Sequence, residues 1–504
     1  MLTAEIPVLQ RLIRSFEVTM KLNKLVEQYG EASVLGPDDV VLSGLSCDSR
    51  STRPGDLFFA VQGTFKDGSA FISEALERGA VAVVSSRELA LPGTVPLVLV
   101  EDERRAKGVL SSLFFGRPSQ RLLCIGLTGT NGKTTTSWMI RSILEQNGFS
   151  TGMLGTIQHR VGSESIRATT TTPDAVDIQK YLARMVDDNH DAAVLEVSSH
   201  ALVQSRAEGV QFGVGVFTNL TREHMDYHGS MEEYRRAKSI LFAGLAPTAT
   251  AVLNDDDPNS EEMAAVCACP VITYGLTRRA DVYGEVRRLD IDGFSMIVKS
   301  PAGSVDVTSR LLGRYNVSNA LAAAAAAVAM NVPLSAVKAG IEALRAVPGR
   351  VETIDVGQDF RVIVDYAHTD DALRKLLENL CRLTSGRLIT VFGCGGDRDA
   401  FKRPLMAEAA TSLSDLTVIT SDNPRSEDAA HIIDDILKGC ASGAAVKVEP
   451  DRRAAIEYAI GEARGGDIVA IAGKGHEDYQ ILNSGRVDFD DRKVAREALW
   501  KLSN

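Results

Sequence analysis

LLCIGLTGTNGKTTT, residues 122–136, is the stretch on which the fold of this 504-residue chain turns. Residues 122–127 are an apolar run of strand length, Gly129 and Gly132 punctuate a turn, and a helix is predicted from Thr134. A strand that runs through a glycine-bearing loop into a helix is the setting of a phosphate-binding loop. Glycine lets backbone N–H groups approach phosphate oxygens, the helix N-terminus adds its dipole, and Lys133 adds a point charge. A hydroxyl at Thr134 is of the kind that ligates magnesium. The candidate phosphate contacts are Gly129, Thr130, Asn131, Gly132, Lys133, Thr134 and Thr135.

Further strands predicted at residues 192–197, 214–218 and 249–254 give this region the layout of a doubly wound, parallel nucleotide-binding sheet. Val347, Pro348 and Gly349 break it. Upstream, short strands at residues 57–61 and 81–84 alternate with a helical stretch at 69–78, which predicts a small α/β unit. Downstream, strands at residues 361–365, 387–392, 416–420 and 467–472 alternate with helical pattern and predict a second parallel sheet. The expected fold is therefore α/β with three domains, at residues 1–113, 114–347 and 348–504, the last of them Rossmann-like.

With 44% hydrophobic and 24% charged residues the chain reads as soluble and globular, neither disordered nor membrane-embedded. A net charge of −11 would repel phosphate backbones over most of the surface, which excludes nucleic acid as a partner and requires a local site for any nucleotide. Seven cysteines spread over so long a chain form no disulfide framework and indicate a reducing compartment. Glu5, Arg11, Arg14 and Glu17 interrupt any export signal, and the alanine-rich tract at residues 320–330 is too short to span a membrane. A cytoplasmic protein is expected, without membrane partners.

A phosphate loop alone leaves motors, switches, kinases and ligases open. The strict pattern GxxxxGK[ST] is not met, because Leu127 stands where its first glycine would be. In that departure TGTNGKTTT resembles the loop of Mur ligases and of their folylpolyglutamate synthetase relatives, and the resemblance to the Mur ligase family runs from about residue 42 to the C-terminus. It implies an ATP-dependent amide ligase, a monomer, with magnesium as cofactor. The substrates it implies are UDP-N-acetylmuramoyl-L-alanyl-D-glutamate, meso-2,6-diaminopimelate and ATP.

The same resemblance assigns roles to residues. Glu196, followed by Val197, Ser198, Ser199 and His200, is similar to the family's strand-end cluster, and a carboxylate there suits magnesium. His224, within the run Thr218 to Gly229, resembles a histidine ligand. Lys238, after Tyr234, resembles the lysine that is carbamylated in the family, since an ammonium cannot ligate magnesium whereas a carbamate can. Lys133, Lys238, Glu196 and His224 are thus the catalytic candidates, and Thr134, Glu196, His224 and Lys238 as carbamate the metal candidates. Asn316, Arg350, Asp365 and His368 complete the ATP candidates; at Asp370 the chain departs from the family's usual proline, which could loosen the adjoining turn.

For the UDP-muramyl substrate the resemblance points to Cys47, Ser49, Thr64, Phe65, Lys66, Thr171, Thr172, Ser198, Gln204 and Arg206. For diaminopimelate it points to Arg398, Asp422, Asn423, Pro424, Arg425, Gly473 and Glu477. Diaminopimelate differs from lysine by a second carboxylate, which an arginine fork accepts bidentately and which lysine cannot supply. The rivals are a lysine-adding or folate-glutamate ligase of the same superfamily and, from another class, a nucleotide-driven switch or transport ATPase that needs no amino acid.

Overall fold

The computed structural model describes residues 18–63 and 67–503; the charged stretch 1–17 and the Thr64, Phe65 and Lys66 turn lie outside them. The chain divides into two compact units, Met1–Lys133 with Gly148–Ile272, and Thr134–Asn147 with Thr273–Asn504.

The first unit opens with a five-stranded sheet of β1 (Ala32–Leu35), β2 (Gly44–Ser46), β3 (Asp56–Phe59), β4 (Ala82–Ser85) and β5 (Leu97–Val100), in the order β1-β5-β4-β3-β2. Only β1 runs antiparallel to its neighbour. Strands β3 and β4 are buried on both faces, as continuous apolar runs in parallel sheets require. Helices α1 (Leu22–Tyr29), α2 (Ile72–Glu77) and α3 (Glu103–Phe114) cover it, and Asp102 caps α3 by accepting from the N–H groups of Arg104 and Arg105.

The predicted strand, loop and helix around Gly129 form β6 (Leu123–Thr128) and α4 (Lys133–Gln146). The helix starts at Lys133, one residue before the expected Thr134. In the first unit β6 is joined by β7 (Thr151–Leu154), β8 (Gln158–Val161), β9 (Glu164–Arg167), β10 (Ala192–Glu196), β11 (Val214–Phe217) and β12 (Thr250–Asn254), ordered β9-β8-β7-β10-β6-β11-β12. From β7 to β12 the pairing is parallel. Parallel strands end on one edge, so Thr128, Glu196, Thr218 and Asn254 all arrive there, with Glu196 registered against Leu127 and Phe217 against Thr128. Helices α5 (Ala175–Asp187), α6 (Ser199–Val203), α7 (Met225–His228) and α8 (Met231–Ala243) complete this part. The antiparallel hairpin β8–β9 is an addition to the expected layout.

The second unit begins with another addition, an antiparallel meander of β13 (Val282–Asp290), β14 (Gly293–Ser300) and β15 (Gly303–Ser309). The alanine tract lies in α9 (Arg314–Ala329), where every residue from Ala320 to Ala327 is at most 1% exposed. It is a core helix, and among the described residues no helix is long and apolar enough to cross a membrane. Helix α10 (Leu334–Ala343) approaches α4 so closely that a Cβ on Gly340 would lie 2.4 Å from the Ile143 Cα, and only glycine permits this.

A six-stranded sheet follows, of β16 (Glu352–Ile354), β17 (Arg361–Asp365), β18 (Leu388–Phe392), β19 (Leu416–Ile419), β20 (Val446–Val448) and β21 (Ile468–Ala472), ordered β16-β17-β21-β18-β19-β20. All but β16 are parallel. Helices α11 (Asp370–Leu383), α12 (Lys402–Leu413), α13 (Ala429–Leu437) and α14 (Arg452–Glu462) connect its strands, and a hairpin of β22 (Tyr479–Leu482) and β23 (Gly485–Asp488) precedes α15 (Asp491–Ser503). Asp370 turns out to be the first residue of α11, behind the Thr369 cap. Its N–H needs no intrahelical partner and its carboxylate suits the helix dipole, so the turn is not loosened.

Candidate active site

In the first unit the phosphate loop is braced against the end of β11. Gly129 has φ +150°, and a Cβ there would lie 1.9 Å from the Thr218 hydroxyl oxygen, so glycine is required. The N–H of Thr130 donates to the Asn219 carbonyl (2.8 Å) and that of Asn131 to Asn219 Oδ1 (3.0 Å). Thr218 Oγ1 and Asn219 Nδ2 both donate to the Asn131 carbonyl, at 2.6 and 3.0 Å. These two loop amides therefore hold the loop in shape instead of pointing outward. Lys133 Nζ donates to the carbonyls of Gly129 (2.7 Å) and Thr130 (2.9 Å). Asn219 was not singled out by the sequence, because an asparagine in a loop carries no signal until its partner is known.

Glu196 ends β10 almost wholly buried, at 1% exposure. Its carboxylate accepts from the Thr156 N–H (3.1 Å) and hydroxyl (2.8 Å), and a Cβ on Gly155 would lie 2.3 Å from it. Around this strand end the structure gathers five of the sequence-predicted substrate residues. Thr171 Oγ1 accepts from Thr156 Oγ1 at 3.2 Å. Thr172 Oγ1 donates to the Glu196 carbonyl at 2.9 Å and accepts from the Ser198 N–H at 3.0 Å. Arg206 donates to the Thr172 carbonyl (3.0 Å) and to Gln204 Oε1, while Gln204 Nε2 donates to the Tyr227 hydroxyl (3.2 Å). The Thr172 hydroxyl is thus spent on main chain, and Thr171, Gln204 and Arg206 form the polar surface.

Helix α8 contributes Tyr234 and, one turn later, Lys238. The Tyr234 hydroxyl lies 3.2 Å from Thr130 Oγ1, and the Lys238 amine sits over the Tyr234 ring, 4.3 Å from its centroid. Lys238 is 1% exposed and pairs with no carboxylate among the described residues. Burial, and then the like charge of Lys133, pushes its amine well below the ordinary lysine range, toward the neutral form. His224 adopts a left-handed conformation (φ 57°) at the start of α7, with its ring 4.7 Å from that of His200. Burial, then His224 and His228, pushes His200 down to about 4. Among the described residues no three His, Cys, Asp or Glu side chains group as a metal site.

Cys47 and Ser49 lie beside the amino-terminal sheet. Cys47 Sγ donates to Asp174 Oδ1 (3.4 Å), and Lys107 Nζ donates to the other oxygen of Asp174 (2.5 Å). Asp174 caps α5 and stands two residues after Thr172, so Cys47 joins the segment that carries Thr171 and Thr172. Ser49 Oγ donates to Glu74 at 2.7 Å. All seven cysteines are free thiols.

The second unit holds the remaining candidates in two groups. Asn316, buried in α9, accepts from Asn319 Nδ2 (2.9 Å) and donates to the Leu312 carbonyl (2.8 Å). The Asp365 carboxylate accepts from the N–H groups of Val351 and Ala367, each at 2.8 Å, and burial raises it above the ordinary aspartate range. Arg350 stacks over Tyr366, 4.7 Å from the ring centroid, and His368 Nδ1 lies 2.9 Å from the Tyr366 carbonyl.

At the carboxyl ends of β18, β19 and β21 the amino-acid candidates converge. Asn423 Nδ2 donates to Glu477 (2.9 Å), and the fully buried Lys474 donates to Asn423 Oδ1 (3.1 Å) and Glu477 (3.2 Å), with Asp422 at 3.9 Å. Gly473 has φ +114°, and a Cβ there would lie 2.7 Å from an Asp422 carboxylate oxygen. Arg425, in left-handed conformation (φ 56°), donates its N–H to the Ile481 carbonyl (3.0 Å) and Nη1 to the Gly396 carbonyl (2.6 Å). Pro424 is buried between Asn423 and Arg425. Arg398 remains apart: it is exposed, and among the described residues its guanidinium donates to the neighbouring Asp397 carbonyl (3.1 Å). Lys474, the hub of the group, follows the candidate Gly473 directly and was not assigned a role by sequence.

A strand, loop and helix cradle with a buried carboxylate at the next strand end defines a nucleotide-binding α/β protein of P-loop type. Models of three domains match the chain: the Mur ligase family, catalytic domain at residues 41–112, the Mur ligase middle domain at 127–327, and the Mur ligase, glutamate ligase domain at 349–475. The chain belongs to the Mur ligase family. Among its relatives are the UDP-N-acetylmuramoyl-L-alanyl-D-glutamate–2,6-diaminopimelate ligases of Geobacillus kaustophilus, 46% identical over 471 residues (92% of this chain, 96% of the relative), and of Gloeobacter violaceus, 46% identical over 484 residues (96% and 98%). A solved structure of a ligase of the same name is 34% identical, with TM-score 0.71 over 96% of this chain and 100% of the other. The folylpolyglutamate synthase of Mycobacterium tuberculosis, 19% identical with TM-score 0.62 over 79% of this chain and 95% of the other, shares the fold.

Proposed function

We propose that this protein is an ATP-dependent amide ligase that joins meso-2,6-diaminopimelate to UDP-N-acetylmuramoyl-L-alanyl-D-glutamate in peptidoglycan precursor synthesis. The observation that carries the choice of amino acid is the cluster of Asp422, Asn423, Arg425, Gly473 and Glu477 around buried Lys474, which offers carboxylates and amides to an ammonium and a guanidinium to a carboxylate. The relatives' names favour the same substrates.

In this reading a carboxylate oxygen of the nucleotide-linked glutamate attacks the γ-phosphorus of ATP and ADP leaves. The diaminopimelate amine then attacks the acyl phosphate carbon, loses a proton and expels phosphate as the amide forms. Lys133 neutralises charge on the transferring phosphoryl group, and Thr171, Gln204 and Arg206 orient the muramyl peptide. Asn316, Arg350, Asp365 and His368 are assigned to the nucleotide, Cys47, Ser49, Thr64, Phe65 and Lys66 to the uridine end, and Arg425 or Arg398 to the distal carboxylate. Magnesium, when bound, supplies charge screening on the phosphates. Glu196, His224 and Lys238 as its carbamate would hold it, together with the hydroxyl of Thr134, which follows Lys133 in the chain. Burial pushes the Lys238 amine toward the neutral form, the form that adds to carbon dioxide, so the residues fit a site completed by that modification.

The three largest sheets support boundaries near residues 113 and 347, with substrate, nucleotide and amino-acid domains in that order. The reading also places the protein in the cytoplasm as a monomer. Phosphate release measured with magnesium, ATP and the UDP-muramyl dipeptide tests it. Turnover should require meso-diaminopimelate and be weak with L-lysine; equal turnover with lysine refutes the specificity, and hydrolysis without any amino acid refutes the ligase.

A further inference from the structure

Arg452 and Asp491 form an ion pair with both side chains 0% exposed. The guanidinium grips the carboxylate as a fork, Nε to Oδ1 at 2.8 Å and Nη2 to Oδ2 at 2.7 Å. Two further protons go to main chain: Nη2 donates to the Ala472 carbonyl (3.0 Å) and Nη1 to the Ser421 carbonyl (3.3 Å). Those carbonyls belong to the residues directly before Gly473 and Asp422. Strands β21 and β19, which deliver these residues, are not neighbours, because β18 lies between them. Arg452 therefore ties together two strand ends that no ladder hydrogen bond connects.

The clearances at these ends are small. A Cβ on Gly393, just past β18, would lie 2.3 Å from the Thr420 carbonyl oxygen. Gln480 Nε2 holds the Asp422 carbonyl at 2.7 Å, and the Ile481 N–H holds Asn423 Oδ1 at 2.9 Å.

Local stability does not account for the arginine. Arg452 is the first residue of α14, where the helix dipole disfavours a cation. A buried ion pair is also a weak source of stability compared with apolar side chains of the same volume. What the fork uniquely does is accept one carboxylate while reaching two carbonyls at fixed angles, which the single ammonium of a lysine cannot reproduce.

We infer that Arg452, oriented by Asp491, is a positioning residue for the amino-acid site: without touching substrate, it sets the distance between the strand ends that carry Asp422 and Gly473. The inference rests on the diaminopimelate-ligase reading. Steady-state phosphate release by the full-length protein, with each of the three substrates varied in turn, tests it. Arg452→Lys is expected to raise KM for meso-diaminopimelate about tenfold or more while KM for ATP and for the UDP-muramyl dipeptide stay within about twofold. Asp491→Asn should raise the same KM by less.

Arg387→Lys serves as the comparison. It weakens an ion pair at the opposite edge of the same sheet, Arg387 to Asp467 at 2.8 Å, and should lower the melting temperature without moving any KM. If both site-side variants leave KM for meso-diaminopimelate within about twofold, raise all three KM values together, or fail to fold, the pair is structural and the inference is overturned. A wild-type protein without diaminopimelate-dependent turnover would take down the ligase reading and this inference with it; a dependent wild type with unshifted variants takes down this inference alone.

Discussion

Thr172→Val keeps the shape of a side chain that is 2% exposed and removes only its hydroxyl. That hydroxyl joins two main-chain groups, the carbonyl of Glu196 at 2.9 Å and the N–H of Ser198 at 3.0 Å. Glu196 is buried, so its carbonyl loses a partner that water cannot replace, at a cost of about 1–3 kcal/mol; the half-buried Ser198 N–H rehydrates in part and adds about 0.5–1 kcal/mol. A loss of roughly 2–3 kcal/mol should lower the urea midpoint of the transition that reports on the first unit by about 1 M. Because the two groups belong to Glu196, the metal-ligand candidate, and Ser198, a candidate substrate contact, kcat/KM for the UDP-muramyl dipeptide should fall about 10–100-fold. Thr171→Val is the contrast. Among the described residues its hydroxyl bonds to Thr156 Oγ1, at 3.2 Å and partly exposed, so stability should change by less than about 1 kcal/mol while KM for the same substrate rises. Circular dichroism in urea and steady-state kinetics measure both. An unchanged midpoint for Thr172→Val, or equal destabilisation by the two variants, refutes the division of labour between these hydroxyls.

Burial pushes His159, beside Tyr181, from 6.5 down to about 4. The unfolded chain therefore takes up this proton first as pH falls. The stabilisation is full above pH 6.5 and is lost between 6.5 and about 4, by up to roughly 3 kcal/mol at about 1.4 kcal/mol per unit. His159→Phe should flatten the urea midpoint across that window, and an unaltered slope would contradict the assignment. Gly129→Ala drives a Cβ into the Thr218 hydroxyl and should reduce ATP-dependent turnover more than about 100-fold, with ATP affinity measured by calorimetry falling in parallel. Arg425→Lys removes the fork and should lower kcat/KM for meso-diaminopimelate by about 10²–10³ while narrowing the preference over lysine in competition assays. Lys238→Met leaves no amine to carbamylate; kcat should drop at least about 100-fold while the melting temperature holds or rises, since a buried amine without a carboxylate partner is gone.

The sequence by itself determined the elements whose signal is local. An apolar run followed by closely spaced glycines and a lysine admits little besides β6, the phosphate loop and α4, and alternating apolar and helical segments located β3 and β4 of the amino-terminal sheet, β10, β11 and β12 beside β6, and β17, β18, β19 and β21 of the carboxy-terminal sheet, while the short strands β1, β2, β5, β7, β16 and β20 were not legible. The meander β13–β15 escaped because its exposed edge carries mixed charged and apolar residues without clean alternation. Motif resemblance supplied the candidate site residues, yet it could not say what each side chain is bonded to. Only the tertiary structure decided that Thr172 braces main chain while Thr171 faces outward, that Asn219 ties down the phosphate loop, and that Lys474 is the hub of the amino-acid cluster while Arg398 stands apart. It alone showed that Arg452 spans two strand ends. The physical reason is range: periodicity, glycine punctuation and helix caps act within a few residues, whereas hydrogen bonds across strand ends and the burial that lowers the pKa of a lysine exist only once residues distant in the chain have been brought together.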